Sequence, residues 1–294
     1  MTKLGFIGLG VMGSPMAAHL AAAGFDVGGY DLNAEALAKL EAAGGRAAES
    51  AADAAAGADV VVTMLPDHPQ VEAVVLAPGG VLDVVEPGTL VIDMSTIRPE
   101  TSIEIARRAK GIRVLDAPVS GGQAGAEQAS LSIMVGGEAE DFAVALPIFE
   151  AVGKTIVHVG PHGAGQVVKA ANQLVVGGTY GLVAEAIVLL EASGVDALKG
   201  LDVLAGGLAG SRILELKRKS MVERQFTPGF RIDLHHKDMG IALAAARQAD
   251  VALPLTGLVA QLVAAGRAMG YGSLDHSALL KVVERLSGRV AEEV

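Results

Sequence analysis

The sequence contains no cysteine, and this absence excludes several kinds of protein. Without cysteine the chain has no disulfide scaffold, no thiolate zinc site and no cysteine nucleophile. Tryptophan is also missing and aromatic residues make up only 3% of the chain, which leaves little material for stacking on the bases of single-stranded nucleic acid. Alanine, valine, leucine and glycine must therefore form the core.

Positive charge is scarce as well. Lys and Arg number 23 against 33 Asp and Glu, a formal net charge of -10, so no nucleic-acid partner is expected from a basic surface. Intrinsic disorder is excluded, because 51% of the residues are hydrophobic. A chain of 294 residues exceeds the usual size of one domain, and we expect two.

Long apolar runs of membrane-spanning length are also lacking. The N-terminal segment reaches glycines after a short apolar run and does not resemble a signal peptide. The best candidate for a span, Leu174 to Leu190, has 17 residues and one charge, Glu185, whereas a span needs about 20 apolar residues. We therefore expect a buried helix between domains, in a soluble cytoplasmic protein with no membrane partner.

The first 160 residues alternate short β-branched runs with alanine-rich segments of helical pattern. Strands are predicted at Lys3–Gly8, Asp26–Asp31, Asp59–Leu65, Thr89–Met94 and Arg113–Ala117, and helices at Val11–Ala23, Ala34–Ala43, Pro69–Val75 and Pro99–Lys110, the last capped by Thr96. This alternation is typical of a doubly wound α/β domain of the Rossmann type.

Beyond Gly160 nearly every segment has a helical pattern. The predicted helices are Gln166–Ala192, Ala197–Ala205, Ile213–Met221, Asp233–Ala249, Leu255–Ala268 and Ser277–Leu286. The sequence thus predicts a dinucleotide-binding domain over residues 1–162 and an all-α domain, for substrate and oligomerisation, over 163–294. Because the long helix is too apolar for one small domain to cover, we expect a homodimer or homotetramer.

Residues 8–13 form the pattern G-x-G-x-x-G between a predicted strand and a predicted helix. In this setting Gly8 allows the tight turn, Gly10 lets the backbone approach a pyrophosphate, and Gly13 permits close helix–strand packing. The candidate cofactor-binding residues here are Gly8, Leu9, Gly10, Val11, Met12 and Asp31. The Asp31 carboxylate would bind ribose hydroxyls and repel a 2′-phosphate, so the pattern favours NAD over NADP.

Two further segments carry polar groups that suit a small anionic substrate. Ser120, Gly121 and Gly122 offer a hydroxyl beside two backbone amides, which can bind a carboxylate, although an ordinary turn explains them at least as well. Lys169 and Asn172 lie three residues apart on an apolar helix and so share a face. Either they line a cavity, where a desolvated lysine exchanges protons, or the lysine extends to solvent from the helix start.

The paired histidines His235 and His236, with Asp233, do not have the spacing of a standard zinc site, so no metal is expected. Leu65 ends a predicted strand and Pro66 follows it, at the edge where the loops of such sheets bind ligands, and we count both as cofactor candidates.

The glycine pattern, Asp116–Gly122, Gly163–Asn172 and Phe230–Asp238 occur in this order, and together they resemble the β-hydroxyacid dehydrogenase family over residues 3 to 287. The resemblance implies an NAD(P)-dependent oxidoreductase acting on a CH–OH group, with Lys169 as the catalytic acid/base. It also implies that Ser120, Gly121 and Gly122 bind the substrate carboxylate with Asn172 beside the lysine, and that Thr96 and Lys237 contact the cofactor.

Phe226–His235 and Asp275–Leu279 resemble, more narrowly, the tartronate semialdehyde reductase branch of that family. This resemblance implies reversible reduction of tartronate semialdehyde to glycerate, with 3-hydroxyisobutyrate dehydrogenase and glyoxylate or succinic semialdehyde reductase as alternatives. Imine reductases and non-catalytic cofactor-binding scaffolds are less favoured, because their relatives generally lack a lysine at position 169. The roles of Arg231 and His276 stay open.

Overall fold

The computed structural model describes residues 1–289, so residues 290–294 of the predicted helical domain lie outside the described chain. The chain divides into two compact units, one comprising Met1–Lys169 and the other beginning at Ala170. The division falls within a helix, a few residues after the predicted boundary between residues 162 and 163.

The first unit is built on a nine-stranded sheet. Its strands are β1 (Lys3–Ile7), β2 (Asp26–Tyr30), β3 (Arg46–Ala47), β4 (Val60–Thr63), β5 (Leu90–Asp93), β6 (Arg113–Asp116), β7 (Val119–Ser120), β8 (Leu131–Gly137) and β9 (Gly153–Gly160). The first six run parallel in the order β3-β2-β1-β4-β5-β6. This is the strand order of the dinucleotide-binding fold, whose direction of winding reverses between β1 and β4.

The central strands are apolar because both faces of the sheet are covered. All four residues of β4 and of β5 are buried, as expected for parallel strands inside an α/β domain. The sheet ends in strands that the sequence reasoning did not predict: β8 runs antiparallel to β6 and β7, and β9 pairs parallel with β8.

Helices connect the strands of the first unit. They are α1 (Gly13–Ala22), α2 (Ala34–Ala42), α3 (Ala51–Ala55), α4 (His68–Val75), α5 (Val81–Val84), α6 (Pro99–Arg108), α7 (Gly122–Glu127) and α8 (Ala139–Val152). Side-chain oxygens of Asn33, Ser50 and Asp67 cap α2, α3 and α4. The predicted cap of α6 is wrong: Arg98 occupies that position, and Thr96 lies before it.

The helix α9 (Ala164–Ala192) starts in the first unit and continues into the second, where helices follow one another. These are α10 (Ala197–Ala205), α11 (Arg212–Val222), α12 (Ile232–Gln248), α13 (Pro254–Gly266) and α14 (Leu279–Leu286), with a π-helical turn at Arg267–Tyr271 and a 3-10 turn at His276–Ala278. Their core includes Tyr180, Ile187, Leu201, Met221 and Leu280. The predicted α/β-then-α architecture is confirmed.

The length of α9 bears on the membrane question. At 29 residues, with a mean hydropathy of 1.7 in its most apolar stretch, it is long and apolar enough to cross a membrane by those two criteria. The helix is therefore longer than the run Leu174 to Leu190 that the sequence indicated as the best candidate for a span. Of that stretch 44% is buried within the protein, and core helices of soluble proteins meet the same criteria.

Candidate functional site

In the turn after β1, the backbone at two positions accommodates only glycine. Gly8 has φ +98°, in the left-handed region, and a Cβ there would collide with the Met64 carbonyl. A Cβ at Gly13 would collide with the Gly8 carbonyl, which makes the close start of α1 against β1 dependent on glycine.

Gly10 differs, because a Cβ there would meet no atom within 4 Å. The space beside it is open, and α1 begins without a side-chain cap or an acidic residue in its first turn. Uncapped N–H groups at a helix start and open space next to a glycine suit a bound phosphate group. The turn therefore fits the pyrophosphate of a dinucleotide. Val11 is exposed, and Met12 is the residue just before the first turn of α1.

Asp31 follows β2 and lies next to this turn. Its Oδ2 accepts a hydrogen bond from the Leu9 N–H at 2.7 Å, and its Oδ1 accepts one from the Asn33 N–H at 2.8 Å. Both oxygens keep a lone pair that can accept a bond from a hydroxyl. The carboxylate is thus held in place by the backbone and remains an acceptor, as the sequence argument requires of a ribose-binding group.

A buried carboxyl, Asp93, connects the turns that follow β4 and β5. Its Oδ1 accepts hydrogen bonds from the Thr63 hydroxyl at 2.7 Å and the Ser95 N–H at 3.2 Å. The Ser95 hydroxyl oxygen accepts a bond from the Leu65 N–H at 2.8 Å. Burial raises the pKa of Asp93 to about 6, and the hydrogen bonds from Ser95 and Thr63 oppose that rise. The predicted cofactor residues Leu65 and Thr96 therefore lie on turns joined through Ser95.

Lys169 is buried, and its Nζ donates a hydrogen bond to the Val119 carbonyl at 2.7 Å. Val119 immediately precedes Ser120, whose strand β7 ends where Gly121 and Gly122 turn the chain with φ +137° and +60°. The structure thus brings Lys169 beside the predicted carboxylate-binding turn. The alternative of a lysine extending to solvent is wrong.

The first turn of α9 is attached to the sheet by Asp116, at the end of β6. Its carboxylate accepts the Gly163 N–H at 2.7 Å and the Gln166 N–H at 3.1 Å. Burial raises the pKa of Asp116, while these backbone hydrogen bonds and the nearby His162 lower it. Asp116 acts as a cap supplied from another element, and it sets where the helix carrying Lys169 begins.

Sequence reasoning missed Gln166, one helical turn before Lys169. It is buried, its Oε1 accepts from the Ile97 N–H at 3.1 Å, and its Nε2 donates to the Ser95 carbonyl at 2.9 Å. The signal was available: like Lys169, Gln166 is a polar residue interrupting an apolar helix.

In the second unit, Asn172 and Lys237 are connected through two buried residues. The Asn172 Nδ2 donates to the Gln173 Oε1 at 2.8 Å, and the Gln173 Nε2 donates to the Asp238 Oδ2 at 2.5 Å. The Lys237 Nζ lies 2.9 Å from the Asp238 Oδ1. The predicted substrate residue Asn172 and the predicted cofactor residue Lys237 are therefore connected by two hydrogen bonds and one ion pair.

His235 and His276 form a buried pair with their Nδ1 atoms 3.0 Å apart. The His235 Nε2 lies 3.2 Å from the Gln173 carbonyl, so both nitrogens of that ring are engaged within the protein. The His276 ring lies 3.9 Å from the Tyr180 ring, centroid to centroid. Burial raises the pKa of Tyr180, and the nearby Asp275 adds to the rise. Over residues 1–289 no group of three or more histidines or carboxylates is placed to hold a metal.

Asp275 organises the loop before α12. Its carboxylate accepts from the N–H groups of Gly229, Phe230 and Ser277, the hydroxyl of Ser277 and the ammonium of Lys217. Burial by itself would raise the pKa of Asp275, but His276, Ser277, Lys217 and Gly229 outweigh it and lower that pKa to about 2. Arg231 is exposed, and its backbone pairs with that of Asp275 in an isolated antiparallel β-bridge. This contact does not involve the Arg231 side chain and so assigns that side chain no catalytic role.

Two family models cover most of the chain. The model described as the NAD binding domain of 6-phosphogluconate dehydrogenase matches residues 3–160. The model described as NAD-binding of NADP-dependent 3-hydroxyisobutyrate dehydrogenase matches residues 163–283.

Individual proteins match over nearly their whole length. The chain is 41% identical to 2-(hydroxymethyl)glutarate dehydrogenase of Eubacterium barkeri, covering 97% of this chain and 96% of that one. It is 40% identical to 2-hydroxy-3-oxopropionate reductase of Escherichia coli (strain K12), covering 97% and 98%. A structure of Mycobacterium tuberculosis 3-hydroxyisobutyrate dehydrogenase with L-serine has a TM-score of 0.85 at 36% identity, covering 96% of this chain and 99% of that one.

Proposed function

The chain belongs to the β-hydroxyacid dehydrogenase family of nicotinamide-dependent oxidoreductases, and on that premise we propose that it reversibly reduces tartronate semialdehyde to glycerate. The observation that carries the reaction type is the buried Lys169, whose Nζ bonds the carbonyl next to the Ser120–Gly122 turn. This contact supports the proposal that Lys169 donates a proton to a substrate whose carboxylate is bound at that turn.

In the proposed mechanism the Ser120 hydroxyl and the N–H groups of Gly121 and Gly122 hold the substrate carboxylate, and Asn172 helps to orient the substrate. The bound nicotinamide would supply the hydride for reduction and accept it for oxidation. Lys169 donates a proton from Nζ to the carbonyl oxygen during reduction, and it removes the hydroxyl proton during oxidation. Burial of the lysine excludes water from the proton transfer.

We infer that the cofactor is NADH in preference to NADPH. Asp31 supports this choice, because its fixed carboxylate accepts hydroxyl bonds and repels a phosphate. Residues 8–12 would bind the pyrophosphate, while Leu65, Pro66 and Thr96 would line the cofactor from the strand ends. Lys237, held by Asp238, would add a positive charge near it.

We also propose a cytoplasmic homodimer or homotetramer with no nucleic-acid or membrane partner. Val175, Leu182 and Leu189 on α9 are spaced by seven residues and are 62%, 68% and 67% exposed. Residues seven apart lie on one face of a helix, so they form an uncovered apolar stripe. A second copy of the chain, presenting the same stripe, would cover it.

Replacing Lys169 tests the proton transfer. Lys169→Met is expected to lower kcat by about 10²–10⁴-fold, since a positioned acid/base is lost, while NADH binding is retained. The matched control is Lys154→Met, which removes an exposed lysine from β9 and should leave kcat unchanged. Near-normal kcat for Lys169→Met would contradict the mechanism.

The substrate is tested by measuring kcat/KM for tartronate semialdehyde, methylmalonate semialdehyde, succinic semialdehyde and glyoxylate, each with NADH and NADPH. Tartronate semialdehyde with NADH is expected to be preferred. The similarity to 2-(hydroxymethyl)glutarate dehydrogenase supports a second candidate, so oxidation of 2-(hydroxymethyl)glutarate belongs in the same series. Preference for another acid would leave the proposed role of Lys169 unchanged and would contradict tartronate semialdehyde as the substrate. NADH binding without turnover of any substrate would favour a cofactor-binding scaffold, and turnover of imines alone would favour an imine reductase.

A further inference from the structure

The carboxamide of Gln166 is a buried connection between two parts of the first unit. Its two polar atoms bond the backbone on either side of Thr96: Oε1 accepts from the Ile97 N–H and Nε2 donates to the Ser95 carbonyl. The amide has only this orientation, because exchanging its O and N atoms would set donor against donor and acceptor against acceptor. Gln166 therefore fixes the backbone of Thr96, a proposed cofactor contact.

The backbone of Gln166 is held as firmly as its side chain. Its N–H donates to the buried Asp116 carboxylate, so the residue belongs to a first helical turn anchored at the end of β6. One turn later the same helix carries Lys169, whose Nζ donates to the Val119 carbonyl. The turn after β5 and the end of β6 are thus both hydrogen-bonded to the first turn of the helix that carries the proposed proton donor.

We propose that Gln166 is a positioning residue that holds Thr96 and Lys169 in a fixed relation, so that cofactor binding and proton transfer both depend on it. The inference rests on the proposed function for the role of Lys169. The part that concerns cofactor binding requires only that the protein binds a nicotinamide cofactor. Gln166 itself touches neither reactant in this proposal and acts through the backbone of Thr96 and the start of α9.

Glutamate at this position gives a test with a distinctive pH dependence. In Gln166→Glu the protonated acid can reproduce both bonds, because its O–H donates to the Ser95 carbonyl and its C=O accepts from the Ile97 N–H. The ionised form sets a negative oxygen against that carbonyl. Burial raises the pKa of a carboxylic acid, so the neutral form should persist at mildly acidic pH. Gln166→Leu has a similar size and lacks both bonds at every pH.

The first readout is the Kd of NADH, measured by fluorescence without substrate between pH 5.5 and 8.5. At pH 8.5 both variants are expected to bind about tenfold more weakly than the wild type. At pH 5.5 Gln166→Glu should approach the wild type while Gln166→Leu does not. Wild-type affinity in both variants, or a Glu variant that parallels the Leu variant at all pH values, would overturn the inference.

The second readout is kcat at saturating NADH and substrate, where weakened binding no longer matters. Gln166→Leu is expected to lower kcat by about tenfold or more, because Lys169 is displaced. Unchanged kcat would overturn the part concerning Lys169. If the wild type turns over none of the substrates, the proposed function fails, and the NADH measurements still decide the cofactor part.

A control separates positioning from loss of stability. Ile148→Ala removes buried methyl groups from α8, in the core of the same unit, and should lower the melting temperature. It is expected to leave the NADH Kd and its pH dependence unchanged. If it weakened NADH binding as much as Gln166→Leu does, general destabilisation would explain both variants and the inference would fail.

Discussion

At the scale of single residues, the proposed chemistry depends on polar side chains that backbone groups hold in place. Asp31 receives two N–H groups, and the ammonium of Lys169 meets a carbonyl. In both cases the side chain is oriented before any ligand arrives, which reduces the ordering that binding requires. Substitutions at such positions should therefore change selectivity or rate more than they change folding.

Asp31 allows a test of cofactor selectivity. Replacing it together with its neighbour, in Asp31→Ser with Leu32→Arg, should raise the NADPH-to-NADH ratio of kcat/KM by ~10–100-fold, because a repulsive carboxylate is lost and a charge-assisted bond to the phosphate is gained. Leu32 is 93% exposed, so the arginine displaces no packing. The single variant Leu32→Arg, which keeps the carboxylate, should shift the ratio less. An unchanged ratio in the double variant would contradict the role of Asp31.

Asp93 should produce a measurable pH dependence of stability. Its pKa is about 6 in the folded protein against an ordinary 3.8, so the folded state keeps this proton where the unfolded state has released it. Stability from this group is complete below about pH 4 and is lost as the pH rises to about 6, up to about 3 kcal/mol in free energy of unfolding.

The matching experiment compares wild type with Asp93→Asn, which keeps an acceptor for Thr63 and does not titrate. Urea unfolding at pH 4 and pH 7 should show that the advantage of the wild type over the variant shrinks at the higher pH. A difference in unfolding free energy that stays constant with pH would mean that Asp93 keeps an ordinary pKa in the folded protein.

At the scale of elements, the second unit is tied together by Arg224, which follows α11. Its guanidinium binds Glu191 at the end of α9 with contacts of 2.8 and 2.7 Å, and Glu284 in α14 with contacts of 3.1 and 2.6 Å. Three helices thus meet at one side chain that is about one-third exposed.

Removing the ion pairs of Arg224 with Glu191 and Glu284 should destabilise the protein. Arg224→Met is expected to lower the free energy of unfolding by about 2 kcal/mol, since Glu284 is nearly buried and loses its partner, and solvent screening at the exposed side limits the effect. Lys199→Met, which breaks the exposed pair with Asp196, should change it by less than about 0.5 kcal/mol. Equal effects of the two variants in chemical denaturation would show that the Arg224 ion pairs add no more to the free energy of unfolding than an exposed pair does.

At the scale of the whole molecule, the apolar stripe of α9 leads to a prediction about assembly. Leu182→Lys with Leu189→Lys places two charges where a second copy would pack, and burying an unpaired charge is costly. Light scattering at micromolar concentration should give an oligomer for the wild type and a smaller species for the variant. Val144→Lys, an exposed position in the first unit, should keep the wild-type mass. A monomeric wild type would contradict the proposed oligomer.

Much of the element order could be predicted from the sequence, because the patterns that mark a strand or a helix are local. The period of apolar residues identified β1, β2, β4, β5 and β6, and the glycine pattern marked the turn between β1 and α1. β3 and β7 were missed because strands of two residues are too short to show a period, and β8 and β9 were missed at the sheet edge. The antiparallel pairing of β8 with β6 and β7 departs from the strand–helix alternation on which the prediction rested.

The correct interpretation of the polar residues required the folded structure. The residues around Lys169 allowed a solvent-facing lysine, and burial beside Val119 excluded it. Likewise, nothing local to Gln166 or Asp116 shows that one bridges Ser95 to Ile97 and the other caps α9. These functions arise because parallel strands bring separate turns to one edge of a sheet. A hydrogen bond between residues 47 to 71 positions apart exists only once that sheet has formed.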